Sequence, residues 1–177
     1  MNYNKLGKTD IKISELGFGA WAIALDWWGK KIDDDEAKRM LKKAYDLGIN
    51  FFETADMYGK GKSEKLIGEV FKGMRDEIVI STKYGYDFSN VEQIGHAELP
   101  QDYSPEYTRK AVDACLERLQ TDYLDSLGLH NPKLHHVRND ETFDTIDKLM
   151  EEGKIDLKHT IADYLPNYQG PAADVVT

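Results

Sequence analysis

Extended and helical patterns alternate along most of this 177-residue chain. Short apolar segments at 49–54, 77–83 and 123–129, of which 77–83 is rich in β-branched residues, are separated by stretches with apolar residues at i, i+3 and i+4 spacing. Repeats of this kind favour parallel strands joined by right-handed crossovers, with the helices packed outside. The pattern therefore predicts an α/β fold: a partial (β/α) barrel with about four to five parallel strands and four helices.

Residues that favour caps and turns set the boundaries of the predicted elements. The first 14 residues read as a hairpin around a Gly-Lys-Thr-Asp turn, and 15–20 read as a glycine-containing strand. Helices are expected to begin at four polar residues: Asp33, Ser63, Ser104 and Asn139. Glycines that can adopt a left-handed conformation end three of these helices: Gly48, Gly73 and Gly153. Residues 154–161 predict a fifth strand.

These elements form one domain over 1–177, with the hairpin at 1–14, the strand–helix units at 15–161 and a loop-like tail at 162–177. A closed eight-stranded α/β barrel needs about 250 residues, so only part of a barrel is expected. Such a part has two open sheet edges and an apolar inner face. Three outcomes follow: the chain pairs with a second copy, it is part of a longer gene product, or it stays an open half barrel. We hypothesise a homo-oligomer, because unpaired sheet edges invite pairing with another chain.

Charge and cysteine content argue against several classes of partner. The formal net charge of −9 argues against a nucleic acid or an anionic membrane. No run approaches the ~20 apolar residues that span a bilayer, and the N-terminus lacks the apolar stretch of a secretory signal. Cys115, the only cysteine, fits a reducing cytoplasm and a helical core position. His135 and His136 are adjacent, a spacing that does not suit one metal site, so no metal is expected.

Three polar residues, Tyr58, Lys83 and His130, fall at or just after the ends of three different predicted strands. Carboxyl ends of parallel strands share one face, so these side chains are expected to meet. An ammonium at Lys83 lowers the pKa of a neighbouring phenol, ordinarily about 10, and makes proton donation feasible. Glu53 can hold that ammonium. Each residue alone has a structural alternative: a packed tyrosine, a solvated lysine and a histidine that caps a turn.

The chain resembles the aldo-keto reductases in four segments that occur in the family's order. They are L-G-F-G-A-W at 16–21, N-F-F-E-T-A-D-M-Y-G at 50–59, I-S-T-K-Y-G at 80–85 and L-H-N-P at 129–132. The resemblance implies a TIM barrel and NADPH-dependent reduction of a small aldehyde or ketone to an alcohol. It also implies a catalytic tetrad of tyrosine, lysine, aspartate and histidine. The matching positions are Tyr58, Lys83, Glu53 and His130.

The same resemblance implies contacts with the cofactor and the substrate. The cofactor contacts are Gly19, Ala20, Trp21 and Thr160. The substrate-pocket residues are Trp21, Trp28, Tyr84 and Asn131. Trp21 can alternatively pack beneath its loop, and the adjacent Trp27 and Trp28 suggest a lid or a contact surface.

Three departures from the family pattern bear on activity. Glu53 stands where the family has aspartate, and the fifth segment lacks the Ser-Asn pair that holds the nicotinamide, with Thr160 as a partial substitute. The loops after strands seven and eight, which hold the cofactor phosphates in the family, have no counterpart in this sequence. NADPH binding is therefore expected to be weak or absent in this chain alone. Two functions remain: a carbonyl reductase, impaired or incomplete, and a non-catalytic scaffold for protein contacts.

Overall fold

The computed structural model describes residues 1–25, 31–88 and 99–156. Its strands are β1 (Tyr3–Lys5), β2 (Lys12–Ser14), β3 (Gly17–Gly19), β4 (Phe51–Glu53), β5 (Val79–Tyr84) and β6 (Ser126–Leu129). Its helices are α1 (Asp34–Asp46), α2 (Lys62–Val70), α3 (Pro105–Leu119) and α4 (Asp140–Glu151). Within these ranges no helix is both long enough and apolar enough to cross a membrane.

The central feature is a parallel sheet with the strand order β3-β4-β5-β6, preceded by the antiparallel hairpin of β1 and β2. In its register Gly19 lies beside Glu53, and Lys83 lies beside Gly128. All four carboxyl ends therefore reach the same rim, as predicted. A parallel bridge between Leu124 and Ile155 marks the start of the predicted fifth strand. The rest of that strand, from residue 157, and the tail at 162–177 lie outside the described residues.

Side-chain caps begin three of the four helices where the sequence predicts them. Asp33 accepts a hydrogen bond from the Glu36 N–H at 2.8 Å, and Ser104 accepts one from the Tyr107 N–H at 3.3 Å. Asn139 likewise accepts a hydrogen bond from the Glu141 N–H at 3.2 Å. These bonds satisfy amides that have no partner within the helix.

The fourth predicted cap, Ser63, is wrong. The N-cap of α2 is Gly61, with φ +87° and no side-chain hydrogen bond. Ser63 is fully buried instead, and its hydroxyl donates to the Ala20 carbonyl at 3.1 Å and accepts from the Thr54 hydroxyl at 2.9 Å. A buried hydroxyl needs such partners, and these two bonds tie α2 to the ends of β3 and β4.

The apolar core lies between one face of the sheet and the four helices. Phe52 and Ile80 fill it from the sheet, against helix residues such as Leu41 and Ile67. Cys115 is wholly buried in the same layer, as predicted, and burial raises the pKa of its thiol.

The other face of the sheet is not the apolar surface that the sequence suggests. Successive side chains of a strand point to opposite faces of the sheet. This face therefore carries every second residue of each strand, those that do not pack against the helices. They are mainly small or polar: Gly17, Gly19, Glu53, Ser81, Lys83, Ser126 and Gly128, with Phe51 and Val79 as apolar members. Self-association through the sheet edges stays a prediction.

A buried cluster of charged residues lies under the loop that follows β4. The carboxylate of Glu64, fully buried on α2, accepts hydrogen bonds from the Thr82 hydroxyl and from Arg118 Nε, both at 2.6 Å. Asp56 is 2% exposed, and its Oδ1 has no hydrogen-bond partner among the described residues. Burial first, and then the charge of Glu64, raise the pKa of Asp56 to about 8. The Asp56 carboxyl is therefore protonated at neutral pH.

Replacing Asp56 with asparagine should change how stability depends on pH. Because the folded pKa of about 8 lies above the ordinary 3.8, the carboxyl's contribution to stability is full below about pH 4 and is lost as the pH rises to about 8. We expect D56N to gain stability relative to wild type across that window. The gain is about 6 kcal/mol at most, because one pKa unit corresponds to about 1.4 kcal/mol.

Urea unfolding followed by circular dichroism between pH 4 and pH 8 measures this effect. The exposed Asp122→Asn serves as the matched control, with a pH dependence parallel to wild type. Parallel stability curves for D56N and wild type would contradict the prediction.

Candidate active site

Three strands, β4, β5 and β6, bring the residues of the predicted tetrad to the rim. Glu53 is the last residue of β4, and Lys83 is the next-to-last residue of β5. His130 directly follows β6, and its N–H donates to the Tyr84 carbonyl at 2.8 Å, which extends the parallel pairing by one residue. Tyr58 lies in the turn after β4, where its N–H donates to the Ala55 carbonyl at 3.1 Å. The structure thus brings all four side chains together.

Lys83 is at the centre of this group. Its ammonium contacts the Glu53 carboxylate, donates to the Thr54 carbonyl at 2.8 Å and lies 4.9 Å from the centre of the Tyr58 ring. Burial lowers the pKa of Lys83 to about 8, whereas the adjacent carboxylate of Glu53 favours the charged form. With its pKa at about 8, Lys83 is charged at neutral pH, and the carboxylate of Glu53 adds to the stability of that charged form.

The Tyr58 phenol differs from the sequence-based expectation in its acidity. Its hydroxyl donates to Glu53 Oε1 at 3.5 Å, and the ring is partly buried. Burial raises the pKa of Tyr58, because the phenolate loses more hydration than the neutral phenol. The predicted lowering by Lys83 is therefore wrong for this structure. Tyr58 holds its proton at neutral pH.

His130 is a neutral base at the same rim. Its ring meets the rings of Tyr58 and Tyr86 edge-on, with centroids 5.7 and 5.0 Å apart. Burial first, and then the charge of Lys83, lower the pKa of His130 to about 4. A neutral imidazole carries one N–H, so it can donate one hydrogen bond and accept another.

The predicted cofactor contacts have unequal access to the rim. Gly19 is exposed, and Trp21 is partly buried with its ring 6.4 Å from that of Tyr58. Ala20 is wholly buried, with its N–H bonded to the Glu53 carbonyl, so it offers little to a ligand. Thr160 lies outside the described residues. The donors present fit the carbonyl end of a hydride transfer, and Gly19 and Trp21 are the described residues that would border a nicotinamide.

The predicted substrate pocket is only partly assembled from the residues expected. Tyr84 is fully buried behind the sheet, with its hydroxyl 2.9 Å from that of Thr108, so it is a core residue and does not line the rim. This side of β5 faces α3, opposite to Lys83, because strand residues alternate. Asn131 is exposed next to His130 and donates to the Tyr86 hydroxyl at 3.1 Å. Trp27 and Trp28 lie outside the described residues.

Three residues around His130 were missed by the sequence reasoning. Tyr86 packs against the imidazole ring, and Gln101 and Tyr103 donate hydrogen bonds to the main chain at His130. All three lie in the long polar segment after β5, where nothing in the sequence distinguishes them from surface loop residues. Only the folded chain places them beside a residue some 30 positions away.

Known proteins match this chain over most of its length. A family model described as the aldo/keto reductase family matches residues 15–157. The aldo-keto reductase YhdN of Bacillus subtilis (strain 168) is 34% identical over 157 residues, which are 88% of this chain and 45% of that protein. L-galactose dehydrogenase of Arabidopsis thaliana is 34% identical over 154 residues, which are 84% of this chain and 44% of that protein. The chain thus spans slightly under half the length of these relatives.

A solved structure shows the same architecture. The aldo-keto reductase AKR11C1 from Bacillus halodurans, in its holo form, superposes with a TM-score of 0.77 at 35% identity, covering 88% of this chain and 48% of that chain. The parallel sheet with its outer helices is accordingly part of a TIM barrel, which confirms the predicted fold class. With the family model matching most of its residues, this chain belongs to the aldo/keto reductase family.

Proposed function

We propose that this protein reduces the carbonyl group of a small aldehyde or ketone to an alcohol with NADPH, and that Tyr58 is the proton donor. The observation that carries the proposal is the meeting of Tyr58, Lys83, Glu53 and His130 at one rim of the parallel sheet. The phenol and the imidazole can donate to a carbonyl oxygen, the ammonium stabilises the phenolate that results, and the carboxylate accepts from that ammonium. The relatives named as aldo-keto reductases and as a dehydrogenase support the reaction class.

The proton follows a short route in this proposal. NADPH, when bound, supplies the hydride that adds to the carbonyl carbon. Tyr58 gives its proton to the carbonyl oxygen, which completes the alcohol and leaves a phenolate. The Lys83 ammonium, 4.9 Å from the ring centre, stabilises that phenolate as it forms. Proton transfer of this kind contributes about 10²- to 10⁴-fold to a rate.

His130 orients the substrate. With its pKa lowered to about 4, the imidazole is neutral at physiological pH and keeps one N–H. It can therefore donate a hydrogen bond to the carbonyl oxygen without competing with Tyr58 for the proton. Trp21, which lies next to Tyr58, provides an apolar wall on the other side.

Glu53 has two effects that oppose each other. Its carboxylate holds Lys83 in place, which helps Tyr58 to lose its proton. The same Oε1 atom also accepts from the Tyr58 hydroxyl, which draws that proton away from a substrate. Aspartate is one methylene shorter, so it can contact Lys83 while accepting a weaker hydrogen bond from the Tyr58 hydroxyl.

Tyr58→Phe removes the proposed acid while keeping the ring. We expect turnover to fall by at least about 10²-fold, the lower end of what a general acid supplies. The measurement is NADPH absorbance at 340 nm with 4-nitrobenzaldehyde as substrate. Tyr123→Phe, whose hydroxyl donates to Asp76 at an exposed position, should keep wild-type activity.

Two outcomes would contradict the proposed function. Turnover retained in Y58F would remove Tyr58 as the acid. No turnover by the wild-type protein, together with no quenching of tryptophan fluorescence by millimolar NADPH, would leave the scaffold function.

Glu53→Asp tests the double role of the carboxylate. We expect kcat to rise by about tenfold, because a shift of ~1 Å in a catalytic group changes rates by up to about 10²-fold. Glu53→Gln keeps the length and removes the charge, so it should lower kcat. An E53D enzyme no faster than wild type would show that the contact with Tyr58 does not limit the reaction.

A further inference from the structure

The main chain at His130 is held by side chains of residues 101–103, which precede α3. The His130 carbonyl accepts a hydrogen bond from the Tyr103 hydroxyl at 2.7 Å and another from Gln101 Nε2 at 2.9 Å. Gln101 Nε2 also donates to the Asn131 carbonyl at 2.9 Å. Two successive peptide groups at the rim are thus fixed by one amide and one phenol.

Tyr103 is itself firmly placed. Its side chain is 3% exposed, and its carbonyl accepts from the Thr142 hydroxyl of α4 at 2.8 Å and from the Thr108 hydroxyl of α3 at 3.4 Å. Two helices therefore fix the position from which its hydroxyl reaches His130. A buried hydrogen bond between rigid elements holds an atom more tightly than one from a free loop.

Gln101 is fixed from the opposite side. It forms an antiparallel bridge with Tyr86, flanked by hydrogen bonds from Asp87 N–H to the Pro100 carbonyl at 2.8 Å and from Asp102 N–H to the Gly85 carbonyl at 2.9 Å. This short pairing continues directly from β5, the strand that carries Lys83. The pairing of Tyr86 with Gln101 thus places both residues beside His130.

Among the described residues, the imidazole ring lacks the hydrogen bond that usually orients a functional histidine. A second ring nitrogen is commonly bonded to a carbonyl or a carboxylate, which fixes the tautomer and the ring plane. In the described part of the chain Nδ1 of His130 is buried and has no partner. The ring must then be oriented by its own backbone and by packing against Tyr58 and Tyr86.

We propose that Gln101 and Tyr103 are positioning residues for His130, and that they replace the missing hydrogen bond to its ring by fixing its backbone. The inference rests on the proposed function only in assigning His130 to the substrate carbonyl. It predicts that, when either donor is removed, the imidazole ring rotates and becomes more exposed to water, while the fold persists.

The test compares Tyr103→Phe and Gln101→Leu with wild type in the full chain. Both variants keep the size of the side chain and remove only its hydrogen bonds. Tyr3→Phe is the matched control, because Tyr3 also donates a phenol hydrogen bond to a main-chain carbonyl, that of Gly48 at 2.8 Å, beside the hairpin and away from the rim. Nitrogen-15 NMR of the imidazoles, with His130 assigned from its loss in His130→Gln, reports both the pKa and the tautomer.

We expect a single neutral tautomer for His130 in wild type and in Y3F down to about pH 5. In Y103F and Q101L its pKa should rise toward the ordinary 6.5, with a mixture of tautomers. In the reductase assay kcat should fall by about tenfold, with the KM for NADPH unchanged, because a displaced donor weakens transition-state contacts. A merely structural role would not move the His130 pKa.

The inference is overturned if both variants stay folded and leave the pKa and the tautomer of His130 as in wild type. If wild type shows no turnover, the proposed function fails, but the NMR comparison still decides whether Gln101 and Tyr103 position the ring. The two failures are therefore distinguishable.

Discussion

The ion pair between Lys83 and Glu53 is the interaction on which the whole site depends. It joins the ends of β4 and β5, which are adjacent in the sheet, and it turns the amine of a strand residue toward the Tyr58 ring. Partial burial lowers the pKa of Lys83 to about 8, so the amine stays charged at neutral pH, and the carboxylate holds that cation beside the phenol. Lys83 places a cation beside the Tyr58 ring, where burial disfavours a phenolate and raises the pKa of Tyr58.

The parallel register makes this interaction possible without any special loop geometry. Phe52 and Tyr84 are buried against the helices, so the residues directly adjacent to them in sequence, Glu53 and Lys83, lie on the opposite face. Glu53 pairs with Ser81, and Lys83 lies two residues further toward the rim. The face they share carries small side chains at most other positions, which leaves room beside the tetrad. The alternation of side chains along each strand therefore places the core residues on one face of the sheet and the candidate site on the other.

Much of this arrangement can be predicted from the sequence, because it depends on local patterns. Strand ends, the caps at Asp33, Ser104 and Asn139, and the convergence of Tyr58, Lys83 and His130 all follow from periodicity and strand order. Burial is harder to foresee, because it depends on which elements pack together. Ser63 became a buried link and Tyr84 a core residue for that reason. The raised pKa of Tyr58 likewise comes from desolvation, which no motif encodes.

The short antiparallel pairing between 85–87 and 100–102 has a consequence for how the protein can diversify. It closes the base of the intervening segment, and the side chain of Gln101 donates a hydrogen bond to the main-chain carbonyl of His130. The position of His130 is therefore set by residues on both sides of that segment, and it can be kept while the sequence between them varies.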